Sequence, residues 1–327
     1  MAPEFKHISV LRDELVQSLH LQAGSIAVDC TAGGGGHTEL ILQAVGPQGK
    51  VLAFDRDPWA REVLTQRFQK ELDQGILELI PEPYSQLENV LSQKQLLGKI
   101  SGVCADIGVS SPQIDHGERG FSFAKDGPLD MRMDPTRGVS AAEVVNTFPE
   151  AELLRIFREF GEEPKAHFIV KAIAHRRAQS PISTTFELSE LIAANVHYKE
   201  RSRKNPATKV FQALRIFVND ELGELEALLK AIPAVLAPQG RCSIITFHSL
   251  EDRMVKLNFK ALSEGDSHQF DRRLPLTAQQ LAKLENRQYR IIKPFPLVPS
   301  DQEQESNPRS RSAKLRVIER LSKETET

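Results

Sequence analysis

The chain has 327 residues, of which 40% are hydrophobic and 26% charged, and its formal net charge is −2. These proportions are typical of soluble globular proteins and exclude a wholly disordered or fibrous chain. No apolar run approaches the roughly 18 residues that a membrane span needs, and the N-terminal residues lack the apolar stretch of a secretory signal. The three cysteines, Cys30, Cys104 and Cys242, lie far apart, which excludes a disulfide framework and a cysteine-based zinc site. We therefore expect a cytoplasmic protein that does not enter a membrane.

The first third of the sequence alternates short apolar runs with segments of helical spacing. Strands are predicted at residues 26–28, 51–54, 76–80 and 102–105. Helices are predicted between them at residues 37–45, 58–72 and 85–97. Strands that alternate with helices form βαβ units, so the pattern predicts a parallel sheet with helices on both faces. Asp29, Asp55 and Asp106 each follow an apolar run, at the carboxyl edge where such sheets bind ligands.

Residues 112–218 differ from the rest, because they contain no convincing buried strand. Helices are predicted here at residues 141–146, 150–159, 164–178 and 185–194. The last third returns to α/β character, with a predicted helix at 220–236, a turn at 237–240, a strand at 241–247, a helix from 249, a loop at 299–308 and a strand at 314–318. The whole pattern predicts one doubly wound domain that is interrupted by a helical insert.

Positive charge is concentrated in part of this insert. Residues 165–215 carry ten Lys and Arg against three Glu, an excess of +7 in a chain whose net charge is −2. Cations that neutralise phosphates release counterions, so such a block is typical of a surface that faces a polyanion. A solvated helical face is the alternative, and the charge count alone does not distinguish the two.

A glycine-rich loop follows the first predicted strand and leads into a helix. It covers Asp29 to His37 and includes four consecutive glycines, Gly33 to Gly36. Glycines let a backbone approach a ligand closely, and a helix N-terminus offers free N–H groups. Asp55, 19 residues after Gly36, stands where nucleotide-binding α/β folds carry a carboxylate for ribose hydroxyls. Together these features predict an adenosine-type ligand, whereas glycines alone would equally suit a tight turn.

The charge of Asp29 separates two classes of adenosine-type ligand. A carboxylate at this position would repel a pyrophosphate, but it suits the ammonium and sulfonium groups of S-adenosylmethionine. We therefore favour S-adenosylmethionine over a dinucleotide. The alternative is that Asp29 only caps the loop.

A second motif follows the fourth predicted strand, from Asp106 through Ser110-Ser111-Pro112-Gln113 to Phe123. With this motif the chain resembles the bacterial RsmH (MraW) family of small-subunit ribosomal RNA cytosine-N4 methyltransferases. The resemblance runs nearly end to end and is carried by residues 7–11, 29–37, 55–57, 106–123, 126–133, 205–208, 211–216, 247–253 and 307–310. Asn205 departs from the family, which usually has histidine there, and we assign it no catalytic role.

The resemblance implies an α/β fold, the class I S-adenosylmethionine-dependent methyltransferase fold with its Rossmann-like doubly wound sheet. The core would comprise residues 1–111 and 219–327, and residues 112–218 would form an inserted helical domain for substrate recognition. The implied reaction moves a methyl group from S-adenosylmethionine to the exocyclic N4 of a decoding-centre cytidine in 16S rRNA. The small ribosomal subunit is the implied partner, no metal is required, and the oligomeric state, a homodimer included, is left open. The cofactor contacts carried over from the family are Gly35, Gly36, His37, Asp55, Tyr84, Asp106 and Gln113.

The chemistry of the cytosine amino group points to catalytic candidates. Its lone pair is delocalised into the ring, so acceptors for its hydrogens and a base for the released proton would assist the reaction. Asp106, Ser110 and Ser111 are our first candidates for this work. The alternative for each serine is a structural cap at a strand-to-helix turn.

His248, which ends the fifth predicted strand, is a further catalytic candidate. The alternative is a buried histidine that bonds to the backbone. Ser249 and Asp252 have the spacing of an S-x-x-D helix cap, so we predict a structural role for them. A serine hydrolase is excluded by the lack of a G-x-S-x-G elbow.

Several residues of the insert are candidates for contact with RNA, namely Asp130, Arg132, Arg203 and Arg215. Phe121 and Phe123 either stack on an extruded base or belong to the core of the insert. Two other classes of function stay open on the residues alone. A nicotinamide-dependent oxidoreductase would use the same glycine loop, and a non-catalytic RNA-binding assembly factor would retain an inactive pocket.

Overall fold

The computed structural model describes residues 9–196, 205–264 and 287–322. The backbone forms two compact units, one made of Met1–Gly108 with Gly223–Thr327 and the other of Val109–Leu222. We call these the first and the second unit. No helix in the described ranges has both the length and the apolar character needed to cross a bilayer.

The first unit is built on a seven-stranded sheet. In chain order the strands are β1 (Ile26–Asp29), β2 (Lys50–Phe54), β3 (Leu77–Ile80), β4 (Ile100–Asp106), β5 (Leu236–Thr246), β6 (Tyr289–Leu297) and β7 (Lys314–Arg320). Their order across the sheet is β3-β2-β1-β4-β5-β7-β6. The strands β1 to β5 pair in parallel, whereas β7 is antiparallel to both β5 and β6. The doubly wound α/β fold predicted from the sequence is confirmed, and the antiparallel end of the sheet was not predicted.

Fourteen helices occur in the described part of the chain. They are α1 (Arg12–Leu19), α2 (Gly36–Val45), α3 (Pro58–Arg67), α4 (Gln69–Asp73), α5 (Leu87–Gln93), α6 (Ser111–Asp115), α7 (Ala141–Thr147), α8 (Glu150–Glu159), α9 (Ala166–Gln179), α10 (Thr185–Asn195), α11 (Thr208–Asn219), α12 (Glu221–Val235), α13 (Ser249–Glu264) and α14 (Asp301–Ser306). Shorter 3₁₀ turns lie at Tyr84–Gln86, Gly117–Arg119 and Pro308–Ser312.

The order of the strands creates a topological switch point between β1 and β4. The chain proceeds from β1 to β2 and β3 on one side, and it then crosses to the other side of β1 to form β4. Ligands of open α/β sheets bind outside the carboxyl ends of the strands at such a point. Apolar residues of the first unit form two clusters, and both include residues from the strands, in agreement with the nearly continuous apolar runs of β2 and β4.

Three local features of the first unit differ from the prediction. The helix predicted at 58–72 is divided at Phe68, whose ψ of 29° interrupts the helical backbone. The turn predicted at 237–240 lies inside β5, because Ile100 pairs with Leu236 while Gly102 pairs with Arg241, which leaves the four residues between unpaired. The loop predicted at 299–308 contains α14.

The second unit is helical and contains α6 to α11. Its described residues include no strand, and their β pairing is limited to an isolated bridge between Pro128 and Thr184. The helical character predicted for the insert is confirmed, although α6 and α11 were missed. One apolar cluster forms its core, to which α7, α8, α9, α10 and α11 all contribute.

Candidate active site

Six of the seven predicted cofactor contacts lie in the first unit, along one edge of the sheet. Tyr84 follows β3, Asp55 follows β2, the glycine loop follows β1, and Asp106 ends β4. The strand order therefore arranges them in space as Tyr84, Asp55, the loop and Asp106. The parallel sheet thus brings these residues of distant sequence to the carboxyl edge where a nucleotide-like ligand is expected.

Asp29 holds the glycine loop to the helix that follows it. Its side chain is buried, with Oδ1 accepting a hydrogen bond from the Thr31 N–H at 3.1 Å and Oδ2 accepting one from the Thr38 hydroxyl at 2.7 Å. This is the capping role that the sequence left as an alternative. Neither Thr31 nor Thr38 was predicted as a partner, although an aspartate before a loop often accepts the N–H two residues further on in an Asx turn.

The glycines of the loop meet two different requirements. Gly35 has φ +82°, and a Cβ there would lie 2.5 Å from the ring of Phe68. A Cβ on Gly36 would lie 2.0 Å from Oγ of Ser9. By contrast, a Cβ on Gly34 would meet no atom within 4 Å. Gly35 is therefore required by its backbone conformation and by the packing of Phe68, a Cβ on Gly36 would displace the Ser9 hydroxyl, and Gly34 borders open space.

Asp55 connects the end of β2 to the glycine loop. Its Oδ2 accepts a hydrogen bond from the Gly33 N–H and its Oδ1 accepts one from the Asp57 N–H, both at 2.8 Å. Burial raises the pKa of Asp55 to about 6, and these two backbone hydrogen bonds oppose the rise. A carboxylate oxygen has two lone pairs, so each oxygen retains capacity for a second donor such as a ribose hydroxyl.

Asp106 ends β4 with one carboxylate oxygen that has no hydrogen-bond partner in the described chain. Its backbone N–H donates to Oγ1 of Thr31 at 2.7 Å, which fastens the end of β4 to the glycine loop. Its Oδ1 is buried and accepts no hydrogen bond within the described ranges. Burial raises the pKa of Asp106 to about 6, and His37 opposes the rise. A buried polar atom without a partner is rare in folded proteins and indicates where a ligand or a water molecule binds.

His37 lies beside Asp106 at the start of α2. The imidazole is buried, with Nε2 3.3 Å from the carbonyl oxygen of Val10 and Nδ1 3.9 Å from Oδ2 of Asp106. The carbonyl oxygen of Val10 can only accept, so Nε2 carries the hydrogen of that contact. The two side chains therefore form one polar group at the edge of the sheet.

Tyr84 begins the 3₁₀ turn that follows β3. Its side chain is partly buried against the apolar core. The next residue, Ser85, donates from its N–H and from its hydroxyl to the carboxylate of Glu224, both at 3.0 Å. These two hydrogen bonds hold the turn at the end of β3, where the sequence predicted an adenine contact.

His248 is held by a buried glutamate at the start of α13. Its Nε2 lies 2.9 Å from Oε1 of Glu251, and its Nδ1 lies 3.5 Å from the Glu251 N–H. The other oxygen of Glu251 accepts hydrogen bonds from the N–H groups of Phe247 and His248, at 2.9 and 3.3 Å. Both ring nitrogens thus face Glu251, but the buried Nε2 makes no hydrogen bond within the described chain, so the catalytic role of His248 stays a prediction.

The side chain of Asp252 does not serve the S-x-x-D cap that was predicted with Ser249, and the capping role of Ser249 stays a prediction. Asp252 instead pairs with Lys314 at 3.1 Å and with Arg316 at 2.9 Å on β7. Both cations lower the pKa of Asp252. Glu251 supplies the carboxylate at the helix start, and its spacing of three residues from His248 was a signal that the sequence analysis missed.

In the second unit, Ser110 and Gln113 form a reciprocal capping box on α6. Oγ of Ser110 accepts from the Gln113 N–H at 3.4 Å, and Oε1 of Gln113 accepts from the Ser110 N–H at 3.0 Å. The side chains of Ser111 and Gln113 are both buried. The capping alternative is therefore confirmed for Ser110, while the catalytic role of both serines and the cofactor contact of Gln113 stay predictions.

The candidate RNA contacts of the second unit are paired with carboxylates. Arg132 donates from Nε and Nη2 to the two oxygens of Asp130, at 2.8 and 2.7 Å. Arg215 makes the same forked contact with Glu221, at 2.7 Å for each hydrogen bond. Arg203 lies outside the described residues. The role of these residues in RNA binding stays a prediction, and the two described arginines already have anionic partners.

Phe121 and Phe123 belong to the core of the second unit. Phe121 is only 8% exposed, and Phe123 packs edge-on against Phe211 with 4.9 Å between ring centroids. The structure thus favours the core alternative over stacking on an extruded base.

Asn219 is a buried polar residue of the second unit for which the sequence predicted no role. Its side-chain amide donates to the carbonyl oxygen of Met131 at 2.7 Å and accepts from the Met133 N–H at 2.8 Å, so it fixes this loop to the end of α11.

A family model described as the MraW methylase family matches residues 4–321 of the chain. A candidate rRNA methylase of Clostridium thermocellum shares 12% identity with a TM-score of 0.43, over 96% of this chain and 100% of that chain. A SAM-dependent methyltransferase from Aquifex aeolicus shares 9% identity with a TM-score of 0.37, over 95% and 90% of the two chains. A SAM-dependent O-methyltransferase from Thermotoga maritima shares 8% identity with a TM-score of 0.39, over 98% and 70%. Structural similarities at this level do not establish an activity.

Proposed function

The chain belongs to the MraW methylase family, and from this premise we propose that it transfers a methyl group from S-adenosylmethionine to N4 of a decoding-centre cytidine in 16S rRNA. The observation that carries the proposal is Oδ1 of Asp106, a buried oxygen without a partner in the described chain, at the switch point of the sheet. We further infer that the small ribosomal subunit in the cytoplasm is the substrate. Family membership favours methyl transfer over the nicotinamide-dependent oxidoreductase that the glycine loop alone left open.

The residues at the sheet edge fit S-adenosylmethionine. Asp55 retains acceptor capacity for the two ribose hydroxyls. Open space beside Gly34 allows the backbone to approach a ligand. The ring of Tyr84 has the apolar face that stacks on an adenine. Asp106 has an oxygen in need of a donor.

When bound, S-adenosylmethionine supplies an activated methyl group on a positively charged sulfur. The chain itself has to orient the target amine and accept a proton. Asp106, with a pKa of about 6, is mostly ionised at neutral pH, so its carboxylate accepts a hydrogen bond from the amino group. Because this pKa lies closer to neutrality than that of an ordinary carboxyl group, Asp106 is also a better proton acceptor.

His37 supports this role of Asp106. Its Nδ1 faces Oδ2 at 3.9 Å, and the contact of Nε2 with Val10 fixes the ring orientation. Oδ2 is thus directed toward the imidazole, which leaves Oδ1 for the substrate side.

The proposal is tested by nucleoside mass spectrometry of rRNA from undermethylated small subunits after incubation with the purified protein and S-adenosylmethionine. We expect N4-methylcytidine at a single position. Methylation of a different atom or of a different RNA would contradict the proposed substrate. Binding of S-adenosylmethionine and RNA without any methyl transfer would support a non-catalytic assembly factor instead.

A further inference from the structure

The second unit carries a groove between α9 and α10 that contains none of the predicted site residues. Its volume is about 340 Å³, and its lining consists of Phe168, Lys171, Ala172, His175, Leu191 and Asn195. The first four are spaced i, i+3, i+4 and i+7, so they share one face of α9. The volume lies at the lower end of the roughly 300–1,000 Å³ of small-molecule pockets.

Phe168 is unusual in its exposure. Its side chain is 62% exposed, the largest value among the exposed large hydrophobic residues of the described chain. The opposite face of α9 is anchored in the core by Ile169, Val170 and Ile173. The orientation of the helix is therefore fixed by packing, and Phe168 remains in solvent. An exposed aromatic ring that is held in place in this way offers a flat face on which a base can stack.

The α9 side of the groove is positively charged, whereas α10 on the other side carries Glu187 and Glu190. From Lys165 to Ser180 the sequence has four Lys and Arg, two His and no acidic residue. Arg177 donates to the carbonyl oxygens of Val145 and Phe148, both at 2.8 Å, and Arg176 lies 3.6 Å from Glu187. Lys171 is exposed and makes no ion pair with any described residue. Lys171 is thus the cation that the groove offers to a partner.

We propose that this groove docks an unpaired segment of RNA, with one base stacked on Phe168 and a phosphate at Lys171. The proposal rests on the proposed function, because it assigns a binding surface to the RNA substrate. Stacking on aromatic rings beside cationic side chains is the common way in which proteins hold single-stranded RNA. The lack of acidic residues along α9 favours a polyanion over an amphipathic protein helix, which would need a longer apolar stripe.

The test measures binding of the full-length protein to a fluorescein-labelled single-stranded RNA oligonucleotide by fluorescence anisotropy. We expect Phe168→Ala to weaken binding about 5- to 150-fold, which corresponds to about 1–3 kcal/mol of base stacking. Phe168→Trp retains a stacking face and should bind like the wild type. Phe186→Ala is the matched control, because Phe186 is 38% exposed on the same unit and does not line the groove. Equal affinities of Phe168→Ala and Phe186→Ala would overturn the proposal.

Salt dependence tests the contribution of Lys171 separately. Loss of one phosphate contact should make the slope of log affinity against log salt less negative by about 0.7 for a single strand. We expect this change in Lys171→Gln and not in Lys256→Gln, an exposed lysine of α13. Equal slopes for the two variants would contradict a phosphate at Lys171.

Two further measurements separate this proposal from the proposed function. If the wild type methylates subunits and Phe168→Ala changes neither RNA affinity nor the KM for subunits, the groove proposal is wrong and the methylation stands. If Phe168→Ala weakens RNA binding but the wild type transfers no methyl group, the docking surface stands and the proposed function fails. If Phe168→Ala weakens binding to intact subunits but not to protein-free rRNA, the groove binds a protein, and the proposal is overturned.

Discussion

The sheet edge of the first unit and the motif residues of the second unit use their polar groups differently. At the sheet edge, Asp55 retains acceptor capacity and Asp106 has an oxygen without a partner in the described chain. In the second unit, Ser110 caps a helix and Arg215 is paired with Glu221. A charged or polar residue in a motif is therefore not by itself a ligand contact. A candidate site residue is one whose polar atoms can still form hydrogen bonds to a ligand after the bonds inside the fold are counted. A residue whose polar atoms are all used inside the fold holds the structure instead.

The largest effect is expected from Asp106→Asn, which removes the proposed acceptor at the sheet edge. Methyl transfer should fall by about 10²–10⁴-fold, the usual contribution of a general base. The variant should fold, because Oδ1 has no hydrogen-bond partner within the described chain to lose. Transfer of labelled methyl groups to small subunits measures the rate, and thermal unfolding checks the fold. Asp13→Asn, an exposed residue of α1, is the charge-matched control; equal rates for the two variants would remove Asp106 from the mechanism.

A stability effect is expected from Arg215→Ala in the second unit. Glu221 is 3% exposed, and removal of its partner leaves a buried charge unpaired. The free energy of unfolding should fall by about 3 kcal/mol, as for other broken buried pairs. Arg132→Ala breaks a more exposed pair with Asp130 and should cost about 1 kcal/mol or less. Urea unfolding measures the stability of both variants. If Arg215→Ala is as stable as the wild type but binds RNA more weakly, Arg215 belongs to the RNA interface instead.

Two neighbouring glycines provide a test within the cofactor loop. Gly35→Ala introduces a side chain at φ +82° and against Phe68, so it should destabilise the fold by about 1–3 kcal/mol. Gly34→Ala meets no atom within 4 Å and should change stability by less than about 0.5 kcal/mol. Gly34→Ala should nevertheless weaken the binding of S-adenosylmethionine in calorimetry, since the methyl group enters the proposed ligand space. If Gly34→Ala destabilised the protein more than Gly35→Ala, the assignment of Gly35 to packing and of Gly34 to the ligand side would be wrong.

The pH dependence of methyl transfer should follow the raised pKa of the sheet-edge carboxyl groups. Asp55 and Asp106 both have a pKa of about 6, so protonation below pH 6 removes the acceptors. The rate should fall by at most about tenfold per pH unit for one essential carboxylate below pH 6 and be constant above about pH 7. A flat rate between pH 5 and 7 would exclude both carboxylates from the rate-determining chemistry.

The raised pKa of Asp106 makes the stability of the fold change with pH in the opposite direction from the rate of methyl transfer. Between about pH 4 and 6 the folded protein holds a proton on Asp106 that the unfolded chain has lost, so stability decreases as the pH rises through this window. Compared with Asp106→Asn, the wild type should therefore gain stability as the pH falls from 7 to 4. Thermal unfolding of both proteins across this range provides the check.

Much of the fold could be predicted, because buried parallel strands leave long apolar runs in the sequence. β1, β2 and β4 were placed within two residues of their observed ends for this reason. β6 was missed because its two prolines, Pro294 and Pro296, are untypical of a strand and are tolerated at the edge of a sheet. The break at Phe68 could not be predicted either, because the helical spacing continues through it.

By itself the sequence determined the alternation of strands and helices, the aspartates at three strand ends and the resemblance to one family. These features depend on residues that are close together in the sequence, so they can be recognised without knowing which distant segments are in contact. Only the tertiary structure decided which polar groups are already engaged, since Thr38 reaches Asp29, Glu251 faces His248 and Glu221 pairs with Arg215. Hydrogen bonding and burial depend on which segments fold together. For this reason Asp106, with an oxygen that the described fold leaves without a donor, could be distinguished from Asp29 only in three dimensions.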